Sequence, residues 1–167
     1  MRPTKLQARA FFAFPMADVS SNADYRDNRS FALDVLKEIE TAAVFKDVYC
    51  AARELDSTAR FSASADALLT DYRALLRADV FLMLYPRAAL SSVLIEAGIA
   101  IALKKEICIV CRSIDDLPFL LRATGKHHAE LPSIQIVEWL EAAPDPSLVA
   151  NKLLDYCSRK LNISRRR

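Results

Sequence analysis

The chain has 167 residues, 53% of them apolar and 26% charged, with a net charge of +2 at neutral pH. This length suits one domain with a sizeable core, and the composition is globular rather than disordered or fibrous. So small a net charge gives no argument for nucleic acid, and no stretch reaches the roughly 20 apolar residues that cross a bilayer. The early apolar run Ala10 to Met16 is short and lacks a cleavage pattern, so no signal peptide is read from it. The basic end, Arg165 to Arg167, reads as a solvated tail.

In chain order, Ala10 to Phe14 is continuously apolar, the pattern of a strand covered on both faces, and Pro15 ends it. A polar loop, Asp18 to Asp24, leads into a helix with apolar positions Phe31, Val35, Leu36, Ile39 and Ala43 at a 3.6-residue period. Val44 to Cys50 is a second strand, placed at a sheet edge because it carries Lys46 and Asp47. Leu68, Leu69, Tyr72, Leu75 and Leu76 mark a second amphipathic helix. Val80 to Tyr85 is a third strand, closed by Pro86, and Leu90 to Leu103 a helix apolar on nearly every side. Ile107 to Cys111 is a strand, Leu117 to Arg122 a short helix, and Ile134 to Val137 the last strand. Asp145 caps a closing helix with Pro146 at its first position and Val149, Leu153, Leu154, Cys157 and Leu161 as its core face.

Strands alternating with helices through short connections predict an α/β fold: a doubly wound, five-stranded parallel sheet, order 2-1-3-4-5, with helices on both faces. The whole chain is read as one such domain. Ligands of such sheets bind beyond the carboxyl ends of the strands, where the order reverses. Here that is a crevice near Phe14-Pro15-Met16 and Tyr85-Pro86-Arg87.

The four cysteines suggest a reducing compartment, and a cytoplasmic location is expected. Cys108 and Cys111 have C-x-x-C spacing, but on a strand residues three apart face opposite ways and cannot share a metal ion. The only histidines are the adjacent pair His127 and His128. No metal site and no cofactor are expected. Two glycines, Gly98 and Gly125, are too few for a dinucleotide fingerprint or a phosphate-binding P-loop.

Glu96 stands out: it is the only ionisable residue between Arg87 and Lys104. Its helix neighbours three and four residues away are Ser92, Val93, Ile99 and Ala100, which is no solvated face. A capping box needs Ser or Thr three residues earlier, whereas Ser92 and Ser91 lie four and five earlier. A carboxylate buried without a partner is costly, but in the first turns of a helix at a ligand crevice the helix dipole eases it. Ser91 and Ser92, at the same helix start, offer hydroxyls to an anion, or one of them caps the helix. Arg26 and Arg29 flank the loop after the first strand, while Phe14, Met16 and Tyr85 offer apolar surface to a base.

The order strand, short loop, Ser, then Glu96-Ala97-Gly98-Ile99-Ala100 resembles the nucleoside 2-deoxyribosyltransferase family. It is similar also to the related TIR-like domains that hydrolyse NAD. The turn Arg77 to Val80 is similar too, and the order of elements extends the likeness from Ala10 to Val137. The resemblance implies that Glu96 attacks or stabilises the anomeric carbon as the base departs, with Asp71 as the second acidic residue. It implies a nucleotide substrate such as NAD and a homo-oligomer. The transferases place an Asp and a Gly-Thr pair just before the glutamate, where this chain has Leu90, Ser91, Ser92 and Val93. That departure turns the expectation from transfer toward N-glycosidic hydrolysis. Nicotinamide as leaving group needs no general acid, which accords with the scarcity of histidine. A transferase or a deoxynucleotide N-hydrolase remains the alternative, as does a nucleotide-binding or assembly module without turnover. A CheY-like signalling domain is set aside, because Phe14-Pro15-Met16 and Tyr85-Pro86 stand where its acidic cluster and phospho-acceptor would be.

Overall fold

The structure, a computed structural model, describes residues 8–16, 22–53, 65–124, 132–139, 141 and 144–164. Five parallel strands form one sheet in the order β2-β1-β3-β4-β5. They are β1 (Arg9–Ala13), β2 (Asp47–Tyr49), β3 (Val80–Tyr85), β4 (Glu106–Cys111) and β5 (Ile134–Glu138). The helices are α1 (Asn22–Thr41), α2 (Ala65–Arg77), α3 (Val93–Ala102), α4 (Phe119–Thr124) and α5 (Pro146–Ser164).

Alternation along the strands divides the core in two. Ala10, Phe12, Leu82, Leu84 and Cys108 face α1 and α5, which contribute Val35, Ile39, Val149 and Leu153. Phe11, Phe81, Met83, Ile109 and Cys111 face the other way, with Leu75 of α2, Val93 and Ala97 of α3, and Leu121 of α4. Cys108 and Cys111 thus lie on opposite faces of β4, as free, buried thiols. Phe12, Phe14, Val80, Leu82, Leu84, Ile107 and Ile109 are all buried. Phe12 stands beside Leu82 in the parallel register. Phe12→Ala should lower unfolding free energy by about 3–5 kcal/mol, the usual cost of emptying such a site. Denaturant titration checks this, and a loss under about 1 kcal/mol would place Phe12 outside the core.

The ends of several elements differ from the sequence expectation. Ala43 lies beyond α1, in a turn with φ of 50°, not on its core face. Only three residues of the second strand pair, at the sheet edge as expected. A 3-10 turn, Ala51–Arg53, follows. The third helix begins at Val93 rather than Leu90, and Leu90 is exposed. The closing helix matches its expected cap: the Ser147 N–H donates to Asp145 Oδ1 at 2.8 Å, with Pro146 at the first position.

Helix α2 forms where its amphipathic pattern predicts. Of its five apolar positions only Leu75 is buried, while Leu68, Leu69, Tyr72 and Leu76 are exposed. The period was right, but the apolar stripe does not point into this chain's own core. Most of the polar loop expected over Asp18 to Asp24, the histidine pair, Gly125 and the basic tail lie outside the described residues. Among the described residues, no helix is long and apolar enough to cross a membrane.

Candidate functional site

Glu96 sits in the first turn of α3, directly beyond the carboxyl end of β3. It is the one buried polar or charged residue among the described residues, with 8% of its surface exposed. Its backbone N–H donates to the Ser92 carbonyl at 3.0 Å. Its carboxylate borders a narrow cleft of about 10 Å³, room for roughly one water. The cleft is walled by Phe14 and Met16 after β1 and by Cys50, Ala51 and Ala52 after β2. This cleft lies beyond the ends of β1 and β2, against the start of α3, and its lining includes Phe14 and Met16 from the expected crevice.

The β2 wall is braced from behind. The Arg29 guanidinium, on α1, donates to the Ala52 and Arg53 carbonyls at 3.0 and 2.9 Å. Arg53 in turn pairs with Glu40 and donates to the Val48 carbonyl. Charge-assisted bonds of this kind hold a turn in one conformation. Arg29 is thus occupied in bracing the wall, while Arg26 is exposed one turn earlier on α1.

Burial pushes the Glu96 carboxyl up to about 7, and the nearby negative charge of Asp71 adds to the rise. A weak opposing contribution comes from the Ser92 hydroxyl, which donates to Glu96 Oε1 at 3.4 Å. Asp71, half-buried on α2, is also raised by burial, and this is opposed by the Tyr49 hydroxyl, which donates to its Oδ1 at 2.6 Å. Burial, then Asp71, moves the Tyr49 phenol well above its ordinary range, with Glu96 contributing. Three acidic groups from β2, α2 and α3 therefore share one electrostatic environment. Burial likewise pushes the Cys50 thiol up to about 11, so it is no thiolate near neutral pH.

The remaining expected site residues are dispersed. Phe14 and Met16 line the cleft, but Tyr85 does not: its ring is buried on the α3 side. The Tyr85 hydroxyl donates to the Ala89 carbonyl at 2.7 Å and accepts from the Ala89 N–H at 3.0 Å, fixing the β3–α3 loop. Ser92 precedes α3 in helical conformation and makes no side-chain cap. The Ser91 hydroxyl is buried without a hydrogen-bond partner, an arrangement that costs roughly 1–3 kcal/mol unless something bonds it. Tyr49 was not singled out from the sequence. Its signal was available, a phenol at the carboxyl end of an edge strand next to the crevice. A larger depression, about 250 Å³, lies at the opposite end of the sheet around Arg9, Asp47 and Arg77. It is at the amino ends of the strands, where sheets of this type do not bind their ligands.

No protein-family model and no curated protein matches the sequence. Solved structures do. The Clostridium botulinum CMP N-glycosidase BcmB superposes with a TM-score of 0.56 over 87% of this chain and 97% of its own, at 16% identity. BlsM, known from a solution structure, gives a TM-score of 0.63 over 93% of this chain and 95% of its own, also at 16% identity. What these similarities establish is the fold: this chain shares its α/β architecture with a nucleotide N-glycosidase.

Proposed function

We propose that this chain hydrolyses the N-glycosidic bond of a nucleotide, with Glu96 as the carboxylate at the anomeric carbon. The observation that carries the reading is a buried carboxyl at the head of α3, facing the cleft, whose charged neighbour is a second carboxyl, Asp71, rather than a cation. A stability-neutral design would place an apolar residue there, so the position calls for a chemical use.

In the reaction the bond from the sugar carbon to the base nitrogen breaks, and its electron pair leaves with the base. Positive charge builds on the sugar, as in glycoside hydrolysis. Ionised Glu96 stabilises that charge or forms an ester with the anomeric carbon. Water then supplies the hydroxyl, leaving free base and a sugar phosphate, or nicotinamide and ADP-ribose when NAD is cleaved. Asp71, with its raised carboxyl, is the candidate to hold or pass a proton to a base that needs one. Tyr49 positions it. Phe14 and Met16 would contact the base.

NAD is the leading substrate because nicotinamide departs without protonation. A nucleoside 5′-monophosphate is the second reading, favoured by the fold shared with a CMP N-glycosidase. Either carries phosphate, and the unpartnered Ser91 hydroxyl, with Ser92, is the proposed donor to it. Arg26 remains a candidate for the same phosphate from the opposite side. Changing Ser91 and Ser92 together to Ala should weaken binding of NAD or a 5′-monophosphate much more than of the unphosphorylated nucleoside, as calorimetric titration would show. Equal losses for both ligands would refute the phosphate assignment and favour the nucleoside transferases. The reaction itself is tested by incubating the protein with NAD and a nucleotide panel and measuring free base.

A further inference from the structure

We infer that Tyr49 is a positioning residue that decides which of the two site carboxyls carries a proton, holding Asp71 ionised so that Glu96 is the last of the pair to lose its own. The inference deepens the reaction proposed above and rests on it for its kinetic consequence alone. Tyr49 ends β2, beside Phe11 in the parallel register, with the two ring centroids 5.0 Å apart. So held, its hydroxyl reaches across to α2 and donates to Asp71 Oδ1 at 2.6 Å. It is the one donor to that carboxylate among the described residues. A bond donated to the charged form of a carboxyl favours that form. Burial resists it, since Asp71 is half-buried. The phenol is therefore what keeps a negative charge on Asp71, and that charge in turn makes Glu96 hold its proton longer.

The ionisable groups around this pair come from every element packed on it. Tyr49 and Cys50 lie at the end of β2, Asp71 on α2 and Glu96 on α3. Arg53, on the turn after β2, acts on the Cys50 thiol and is itself paired with Glu40. The phenol is raised well above its ordinary range and the thiol to about 11, so both stay neutral near pH 7. Tyr49 is thus a fixed donor, and the two carboxyls are the groups of this cluster that exchange protons near neutrality. The consequence is chemical. Where Glu96 is ionised, Asp71 is ionised too, and such a site suits a leaving base that is already cationic. A base that must take a proton as it departs depends on the minority of molecules in which Asp71 holds one.

Carbon-13 NMR of the full chain, labelled at the Asp and Glu carboxyls, gives both titration midpoints without any substrate. The two signals are assigned by their loss in Glu96→Gln and Asp71→Asn. In Tyr49→Phe, which keeps the ring against Phe11, the Glu96 midpoint should fall by at least about half a pH unit while that of Asp71 rises. Asp71→Asn alone should lower the Glu96 midpoint as well, and adding Tyr49→Phe should move it no further. A Glu96 midpoint unmoved by Tyr49→Phe would overturn the inference. So would a fall of the same size with and without the Asp71 carboxyl, which would make Tyr49 a packing residue. Where base is released, Tyr49→Phe should also lower the pH at which kcat/KM levels off, and raise the rate on a nucleotide whose base needs a proton relative to NAD. A protein that releases no base would sink the reaction but leave the NMR outcome to decide the role of Tyr49.

Discussion

Glu96→Gln is expected to slow base release by at least about a hundredfold, the usual loss when one group that meets transition-state charge is removed. The substitution keeps the shape of the side chain and removes only its charge, so substrate binding should change far less than turnover. Because Glu96 is held at about 7 by burial and by Asp71, and because the proposed reaction uses its ionised form, wild-type kcat/KM should rise with pH and level off above about 7. The residual activity of the variant should lack that rise. Steady-state rates of base release between pH 5 and 9 check both points. A variant with the wild-type rate would make Glu96 a structural residue.

The same substitution should make the protein more stable, and only at higher pH. Burial raises the folded-state pKa of Glu96 from an ordinary 4.5 to about 7. Between those values the folded chain keeps a proton that the unfolded chain has lost. Stability therefore falls as pH rises through this window, and above it the full cost, about 3 kcal/mol, is present. Glutamine carries no charge to bury. At pH 8 Glu96→Gln should thus gain up to about 3 kcal/mol, a rise of as much as roughly 10 °C in Tm for a domain of this size. At pH 4.5, where the wild-type carboxyl is about half-protonated even when unfolded, the gain should nearly disappear. Thermal melts of both proteins at the two pH values measure the difference. A gain equal at both would mean that the carboxyl is not held in its buried position. A residue that costs stability for as long as it is ionised is what an active-site trade-off predicts.

Much of this architecture could be read from the sequence, because runs such as Val80 to Tyr85 and Ile107 to Cys111 are apolar without interruption. Buried parallel strands leave little other reading. Pro15 and Pro86 marked where β1 and β3 give way to loops. Ends set by backbone geometry were less legible. Helix α3 stops at Ala102 and Lys104 adopts a φ of 54°, a conformation usually signalled by glycine, which is absent there. Helix α2 shows a deeper limit. Periodicity identifies an apolar stripe but cannot say whether it meets the chain's own core or another surface. Leu75 does the first, while Leu68, Tyr72 and Leu76 do not.

Glu96 was legible because a lone charge in an apolar helix conflicts with its surroundings, and conflict of that kind marks functional positions. Its partners were harder. The link from Tyr49 to Asp71 joins residues 22 apart, through a pairing of β2 and α2 that no local pattern encodes. The bracing bonds of Arg29 were hidden for a related reason. A basic residue near a crevice suggests an anion, yet the carbonyls of Ala52 and Arg53 are the acceptors it reaches.

The most direct test is to incubate the purified chain with NAD, CMP, other 5′-monophosphates and the matching nucleosides, and to separate the products by chromatography with mass detection. An N-glycosidase built on Glu96 releases free base together with an equal amount of its sugar phosphate, or nicotinamide with ADP-ribose, from at least one phosphorylated substrate. Recovery of every nucleotide intact, from protein shown to be folded and to bind one of them, would contradict the reaction and leave a nucleotide-binding module on the same fold.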